Sequence, residues 1–244
     1  MSTVSSHDGQ SAALTRNFTL QSLTPDTLAL LLPHIEPVDL PHGFVMVGAL
    51  EPIRWAYFIT RGMASIGCMD AEETNVEVGV IGREGIIGLQ SLLGNFSSLT
   101  SINMQSDGEG FRVYPEVLQR LFRTQPDLVR AVNRFTHAML EQTSRLVLCN
   151  RLHGLENRLA RWLLMTSDCL ESPHLQLTQE YLAEMLGTAR PGITLAAGSL
   201  QRGGSIVYSR GRVEIRSREL LQQASCECYR SIRSVYKMLY PELY

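Results

Sequence analysis

The chain has 244 residues, 44% hydrophobic and 19% charged with a formal net charge of -2, the composition of a globular protein of one or two domains. No apolar run approaches the roughly 20 residues of a membrane span, and five scattered cysteines, an odd number, are unlike a disulfide framework. The charge is divided unevenly. Residues 1–149 carry ten basic against fifteen acidic side chains, residues 150–244 carry twelve against nine, and Lys237 is the only lysine. A basic, arginine-rich C-terminal half fits a partner that bears phosphate, because the guanidinium fork matches phosphate and guanine bidentately.

The opening MSTVSSHDGQ is polar and has no apolar signal segment, so a cytoplasmic protein without a membrane partner is expected. Thr24 before Pro25 reads as the N-cap and first position of a short helix that runs to about Leu32. From about Phe44 to Val113 the chain consists of short apolar runs broken by glycine, at residues 44–47, 55–60, 64–69, 76–81, 102–105 and 110–114. Strands of that length and spacing predict a small sandwich or barrel.

At Pro126 glycine disappears and a helix is predicted to about Arg151. Leu128, Val132, Phe135, Met139, Gln142, Leu146 and Cys149 alternate four and three apart, an a/d seam of three heptads. The seam can pack on the body of its own subunit. The simplest reading is a parallel pair of identical helices, a two-fold homodimer in which Gln142 costs stability and sets register.

Residues 177–215 carry the strongest signal. Thr178 caps a helix whose apolar face, Tyr181, Leu182, Met185 and Leu186, ends at Gly187. A second helix is predicted from Thr188, with Pro191 in its first turn, where the missing amide would have had no intrahelical partner. This is the layout of a helix-turn-helix, whose second helix enters the major groove. Ile206 and Tyr208 alternate with Val207 and Ser209 and face Val213 and Ile215 across Arg210-Gly211, a hairpin that reads as a wing. Arg210 and Arg212 at its tip, with Arg216 and Arg218 beyond, are placed to meet phosphates. Gly203-Gly204-Ser205, between helix and wing, has no evident role in the sequence. Cys226-x-Cys228 is the only close cysteine pair; with no further Cys or His at fixed spacing, no metal is expected.

A barrel, a long helix, the segment Leu155-Glu156-Asn157-Arg158-Leu159-Ala160-Arg161-Trp162-Leu163, then Leu177-Thr178-Gln179-Glu180 through Ile215 follow in an order that resembles the CRP/FNR transcription regulators. The resemblance covers about residues 20 to 230. It is most specific over residues 177–206, which are similar to a branch in which RPG opens the recognition helix and SCECY, here residues 225–229, closes the chain. It implies an α+β fold: an antiparallel, jelly-roll-like sensor barrel over 20–125, a dimerisation helix over 126–151 and a winged helix-turn-helix over 152–230. The implied function is that of a homodimer that binds palindromic double-stranded DNA and can contact RNA polymerase.

Carried over, Thr178 and Gln179 look like phosphate contacts at the start of the first helix, and Arg190 matches a position that reads guanine. Thr188, Ala189, Gly192, Thr194 and Leu195 complete the DNA-facing set, with Arg210 and Arg212 from the wing. Pro191 stands where relatives have an acidic reader and Leu195 where many have arginine, so the half-site should differ; Leu195 or Thr194 could contact a thymine methyl. Gly198 is read as permitting close packing on the first helix.

In relatives that bind cyclic AMP, a Gly-Glu pair holds the ribose and an Arg-Ser pair the phosphate. The matching effector region is Gly82, Arg83, Gly85, Gly88 and Leu89, with Leu99 and Thr100 further on. Leu89 replaces the glutamate and Leu99 the arginine, so cyclic nucleotide binding by that route is not expected, and Arg83 or Arg112 would be the first substitutes for the missing cation. The three glycines could line an anion site with backbone amides, though glycine at barrel corners is the commoner use. No cysteine precedes Cys68, which closes the iron-sulfur route of the oxygen-sensing members; His34, His42 and His137 leave a haem ligand open. HExxH, G-x-S-x-G, Walker and dinucleotide motifs are absent, so no enzyme is expected. The competing reading is a ligand-binding or protein-interaction module whose helix-turn-helix serves packing. The operator, the effector and the sign of regulation are not encoded legibly.

Overall fold

The glycine-punctuated segment folds into two sheets. Its strands are β1 (Glu36–Leu40), β2 (Val45–Val47), β3 (Ala56–Arg61), β4 (Ala64–Met69), β5 (Asn75–Ile81), β6 (Thr100–Met104) and β7 (Gly108–Val113). One sheet has the order β1-β7-β3 and the other β2-β6-β4-β5. The computed structural model describes residues 14–69, 71 and 75–241; the polar start read above over residues 1–10 lies outside the described residues. Strand β1 escapes the sequence pattern because it is short, mostly exposed and contains Pro37. Its edge position tolerates a proline, since one side of an edge strand has no ladder to donate to.

The chain divides into two units, one of the described residues up to Ile66 with Val80–His137, the other of Gly67–Gly79 with Ala138 and the residues after it. In the first, Asn17 caps α1 (Phe18–Gln21), and its buried amide donates to the carbonyls of Ile59 and Gly85, each at 3.0 Å. Thr24 caps α2 (Pro25–Leu31), as its position before Pro25 predicts. The chain then runs through the sheets to α3 (Pro115–Thr124) and α4 (Pro126–Leu152). Asp127, in the first turn of α4, accepts from Thr24 N at 2.8 Å, Thr24 Oγ1 at 3.0 Å and Thr27 Oγ1 at 2.9 Å. Burial would raise its carboxyl, but these hydrogen bonds outweigh burial and hold it below the ordinary value.

The second unit is built on α5 (Leu155–Leu170). Seven further elements follow it: β8 (His174–Gln176), α6 (Gln179–Met185), α7 (Arg190–Arg202), β9 (Ile206–Ser209), β10 (Arg212–Ile215), α8 (Arg218–Ala224) and α9 (Glu227–Leu239). Helix α5 is buried from Leu159 through Ser167 and packs against α7, α8 and α9. Strand β8, absent from the sequence reading, pairs with β10 and extends the hairpin to a three-stranded sheet. At the centre Trp162 donates its indole N–H to Glu77 Oε1 at 2.8 Å, while Glu77 Oε2 and the Tyr181 hydroxyl are buried without partners. Burial is the main cause that raises the Glu77 carboxyl to about 8, partly offset by the Arg161 charge and the Trp162 hydrogen bond.

Between its ordinary value of 4.5 and about 8, Glu77 therefore holds a proton in the folded unit that the unfolded chain has lost. Stability from this group is complete below about pH 4.5 and declines as pH rises to about 8. The slope is at most about 1.4 kcal/mol per pH unit. Glu77→Gln keeps the Trp162 acceptor without a charge, so its denaturation midpoint should fall less between pH 5 and 8 than that of the wild type. Parallel pH profiles for the two proteins in urea melts would refute this account of Glu77.

Candidate nucleic-acid interface

The Thr178 side chain accepts from Tyr181 N at 3.1 Å and so starts α6 as predicted. The helix closes on Gly187, at φ 55°, which donates to Glu184 O at 3.1 Å while Thr188 N donates to Ala183 O at 2.9 Å. This pair of bonds is the Schellman closure, which requires a left-handed residue that glycine supplies without strain. Because the Thr188 amide is used to close α6, α7 begins two residues later than the sequence reading placed it, with Ala189 as N-cap. The same closure explains Gly203-Gly204-Ser205. Gly204, at φ 74°, donates to Gln201 O at 3.0 Å, and Ser205 N donates to Leu200 O at 3.1 Å. Ser205 is buried, and its carbonyl receives Arg216 N at 2.9 Å and Ser217 N at 3.2 Å, which anchors the end of the wing.

On the outer side of α7, Ala189, Arg190, Pro191, Thr194 and Leu195 are exposed, Leu195 at 74%. Arg202, in the last turn of the same helix, is also exposed; the sequence reading missed it, although it lies a further seven residues from Leu195. Gln179 joins the two helix starts, since its Oε1 accepts from Thr194 Oγ1 at 2.9 Å and from Arg190 Nε at 3.5 Å. The Arg190 guanidinium also pairs with Glu180 at 3.0 Å, both side chains well exposed. Thr178, Gln179, Arg190, Tyr208, Ser209 and Arg210 line a groove of about 360 Å3 between the helices and the wing.

The wing turns at Arg210 and Gly211, with φ 49° and 74°, the two positive values of a type I′ hairpin turn. Register places Arg212 opposite Ser209 and Ile215 opposite Ile206. Tyr208 holds the wing in place: its hydroxyl donates to Leu177 O at 2.8 Å and its amide to Gln201 Oε1 at 2.8 Å. Burial, with the Glu180 charge adding to it, raises the Tyr208 hydroxyl and keeps it a donor.

Four expectations need correction. Gly192 is half-buried and an added Cβ would lie 2.9 Å from Leu155 Cδ2, so a side chain at this position would point toward Leu155 rather than outward. Gly198 does not pack on the first helix, because a Cβ there would meet only Arg202 of its own helix, at 3.4 Å. Arg218 bonds Asp168 and, at 2.6 Å, the Tyr229 hydroxyl, which also donates to Asp168 Oδ2 at 2.8 Å. It is an internal tie. The seam is the fourth: Leu128, Val132, Phe135, Gln142, Leu146 and Cys149 are buried within the single chain, and Met139 is half-buried. Phe135 meets Gly85 and Gln142 donates to Tyr236 Oη at 2.9 Å, so the seam is covered by the subunit's own side chains. Of the exposed large apolar residues of α4, Leu152 at 68% is its last residue, and Leu140 and Val147, at 64% and 66%, lie seven residues apart on another face.

The effector residues are likewise occupied by other tasks. Gly85 lies against Phe135 and Ile81, and Gly88, at φ 86°, lies where a Cβ would meet the Trp55 carbonyl at 3.0 Å. Gly82 N donates to the buried Glu84 carboxylate at 2.9 Å, and Arg83 lies over the Phe18 ring, 5.2 Å from its centroid. Leu89 is half-buried, Thr100 shares a hydroxyl hydrogen bond with Ser98 at 2.8 Å, and Leu99 is 77% exposed and points away from any interior. Arg112 forks onto Glu36 Oε2 at 3.0 and 2.9 Å and lies 4.1 Å over Trp55. His34, His42 and His137 are exposed on three separate segments rather than gathered at a haem-sized site.

Residues 157–224 match the Crp-like helix-turn-helix domain family. A curated relative, the CRP-like cAMP-activated global transcriptional regulator of Mycobacterium tuberculosis, is 22% identical over 201 residues, 79% of this chain and 89% of its own. A solved regulator of the crp/fnr family from Eubacterium rectale aligns with a TM-score of 0.68 at 16% identity, over 84% of this chain and 95% of the other. The c-di-GMP responsive global regulator of Xanthomonas campestris aligns at 0.67 and 19%, over 80% and 100%.

Proposed function

From its Crp-like helix-turn-helix domain and its fold, we propose that the chain is a DNA-binding transcription regulator of the CRP/FNR type that works as a cytoplasmic homodimer on palindromic DNA, without a catalytic step. The observation that carries the proposal is the outer side of α7, where Arg190, Thr194, Leu195 and Arg202 are exposed beside a wing tip that presents Arg210 and Arg212. Arg190 reads a base, Thr178, Gln179 and the wing arginines hold phosphates, and Leu195 lies against thymine methyls. No helix among the described residues is long and apolar enough to cross a membrane.

Arg190→Ala should lose about 1 to 3 kcal/mol on the cognate site, selected from random duplexes, with little change on random DNA; Arg212→Ala should weaken both and flatten the salt dependence. Fluorescence anisotropy at several salt concentrations measures both effects. An equal loss from Arg190→Ala on the two DNAs would remove it as a reader, and no salt-sensitive binding at all would favour the packing-module reading.

The dimer contact proposed here is the α4 face bearing Leu140 and Val147, which needs a partner of matching shape where the buried seam does not. Leu140→Glu with Val147→Glu should yield folded monomers in sedimentation, because both sites are exposed in the single chain, with a melting temperature that no longer depends on protein concentration. A protein that remains dimeric would place the contact elsewhere.

For the sensor unit, we propose that cyclic AMP does not act through the contacts used by the nucleotide-binding members. Leu89 and Leu99 offer neither acceptor nor cation, and Arg83 and Arg112 are engaged by Phe18 and by Glu36 and Trp55. A phosphate buried without a cation loses several kcal/mol. Calorimetry with cyclic AMP and cyclic GMP should give no heat of binding. Micromolar binding coupled to tighter DNA affinity would show that one of these arginines is released to the phosphate.

A further inference from the structure

Three cysteines and one histidine that are far apart in sequence meet in the second unit. Cys149 and His153 lie one turn apart at the end of α4, where His153 N continues the helical ladder to Cys149 O at 3.1 Å. Cys226 is the N-cap of α9 and Cys228 lies in its first turn. Cys149 Sγ is 3.4 Å from Cys226 Sγ, and Cys228 Sγ is 3.6 Å from His153 Nδ1. All four ligand atoms lie within 4.8 Å of one another. All five cysteines of the chain are free thiols.

We propose that Cys149, His153, Cys226 and Cys228 bind one Zn2+ in a closed tetrahedral site. Zinc–sulfur bonds of about 2.3 Å at tetrahedral angles put ligand sulfurs about 3.8 Å apart, so pairs now up to 4.8 Å apart need to close by at most about 1 Å to surround one ion. A multi-iron cluster would need its thiolates spread around a wider body, and the set of three thiols with one imidazole suits a borderline-soft ion.

The neighbours of the four fit the same reading. His153 turns Nδ1 to the thiols while its Nε2 lies 3.3 Å from Glu227 Oε1. A carboxylate that accepts a hydrogen bond from Nε2–H leaves Nδ1 with its lone pair free to ligate and fixes the ring, the usual outer support of a zinc-bound imidazole. Three thiolates and one neutral imidazole on Zn2+ carry a net charge of about -1. The buried Arg161, whose positive charge acts on Cys149, supplies the counter-charge. Cys149, Cys226 and Cys228 are 0%, 6% and 0% exposed, and no position is left open for substrate, so the ion is structural. It would join the end of α4 to the start of α9, beside the hydrogen bond from Asn157 Nδ2 to Ala224 O at 2.8 Å.

The test uses the full chain, purified under reducing conditions without a histidine tag. After incubation with Zn2+ and desalting, elemental analysis should find one zinc per chain, and removal by a strong chelator should lower the melting temperature. Reloading with Co2+ should produce the intense visible bands of a tetrahedral cobalt site together with thiolate charge transfer. Cys228→Ser should lose both metal and bands, His153→Gln should weaken retention while keeping the thiolate charge transfer, and Cys68→Ser, an exposed control, should match the wild type. If Cys228→Ser does not fold, the wild-type chelation and cobalt results decide alone. The proposal fails if the reduced chain retains no zinc, if the cobalt spectrum lacks thiolate charge transfer, or if mass analysis of the isolated protein shows a Cys149–Cys226 disulfide.

Discussion

Presentation of α7 depends on burial of its inner side against α5. A helix of 13 residues that opens on Arg190-Pro191-Gly192 and contains a second glycine is not stable in isolation, so its direction is set by what it packs on. Ile193, Ala196, Ala197 and Leu200 form that inner side, and at Gly192 an added Cβ would lie 2.9 Å from Leu155 Cδ2, so a larger residue would require that side chain to shift. The left-handed glycine closures at both neighbouring helix ends then orient what enters and leaves α7. They satisfy terminal carbonyls that have no intrahelical partner and turn the chain without a long loop.

On the outer side of α7 in the free protein, Arg190 is paired with Glu180 and steadied by Gln179, while Arg202 remains exposed in the last turn. An exposed pair of this kind contributes under about 1 kcal/mol, so exchange of Glu180 for a guanine edge or a phosphate is cheap, whereas the geometry it maintains is retained. The wing supplies charge by different means. Arg210 adopts a left-handed backbone that glycine or asparagine would adopt more easily, a cost of about 1 kcal/mol that places a guanidinium at the foremost point of the hairpin.

Elements with a local signature were legible in the sequence. Thr24, Thr178 and Gly187 mark helix ends through short-range chemistry, and the Arg210-Gly211 turn with its alternating flanks sets the wing register. What the sequence concealed depends on partners distant along the chain. The heptad over Leu128 to Cys149 shows that one face of α4 is apolar but not what covers it, and in the single chain Gly85, Tyr236 and Cys226 lie against it. Glycines at three-residue spacing suggested an anion cradle for the same reason: spacing is local, whereas the closeness of Phe135 to Gly85 is not.

The cysteines make the same point in chemical terms. Cys226-x-Cys228 by itself offers two ligands, and Cys149-x-x-x-His153 resembles an ordinary stretch of amphipathic helix; each half is too weak to suggest a site. Only the fold brings the two pairs together, and it does so with a carboxylate, Glu227, whose Oε1 lies 3.3 Å from the imidazole nitrogen turned away from the thiols. Residues that serve packing alone would not need that arrangement, because a buried thiol behaves as a small hydrophobe whichever way a neighbouring ring is turned. The same cluster sits where α4 ends and the last helix begins, so the forces that hold these four side chains together also determine how firmly the C-terminal helix is attached to the unit that presents α7.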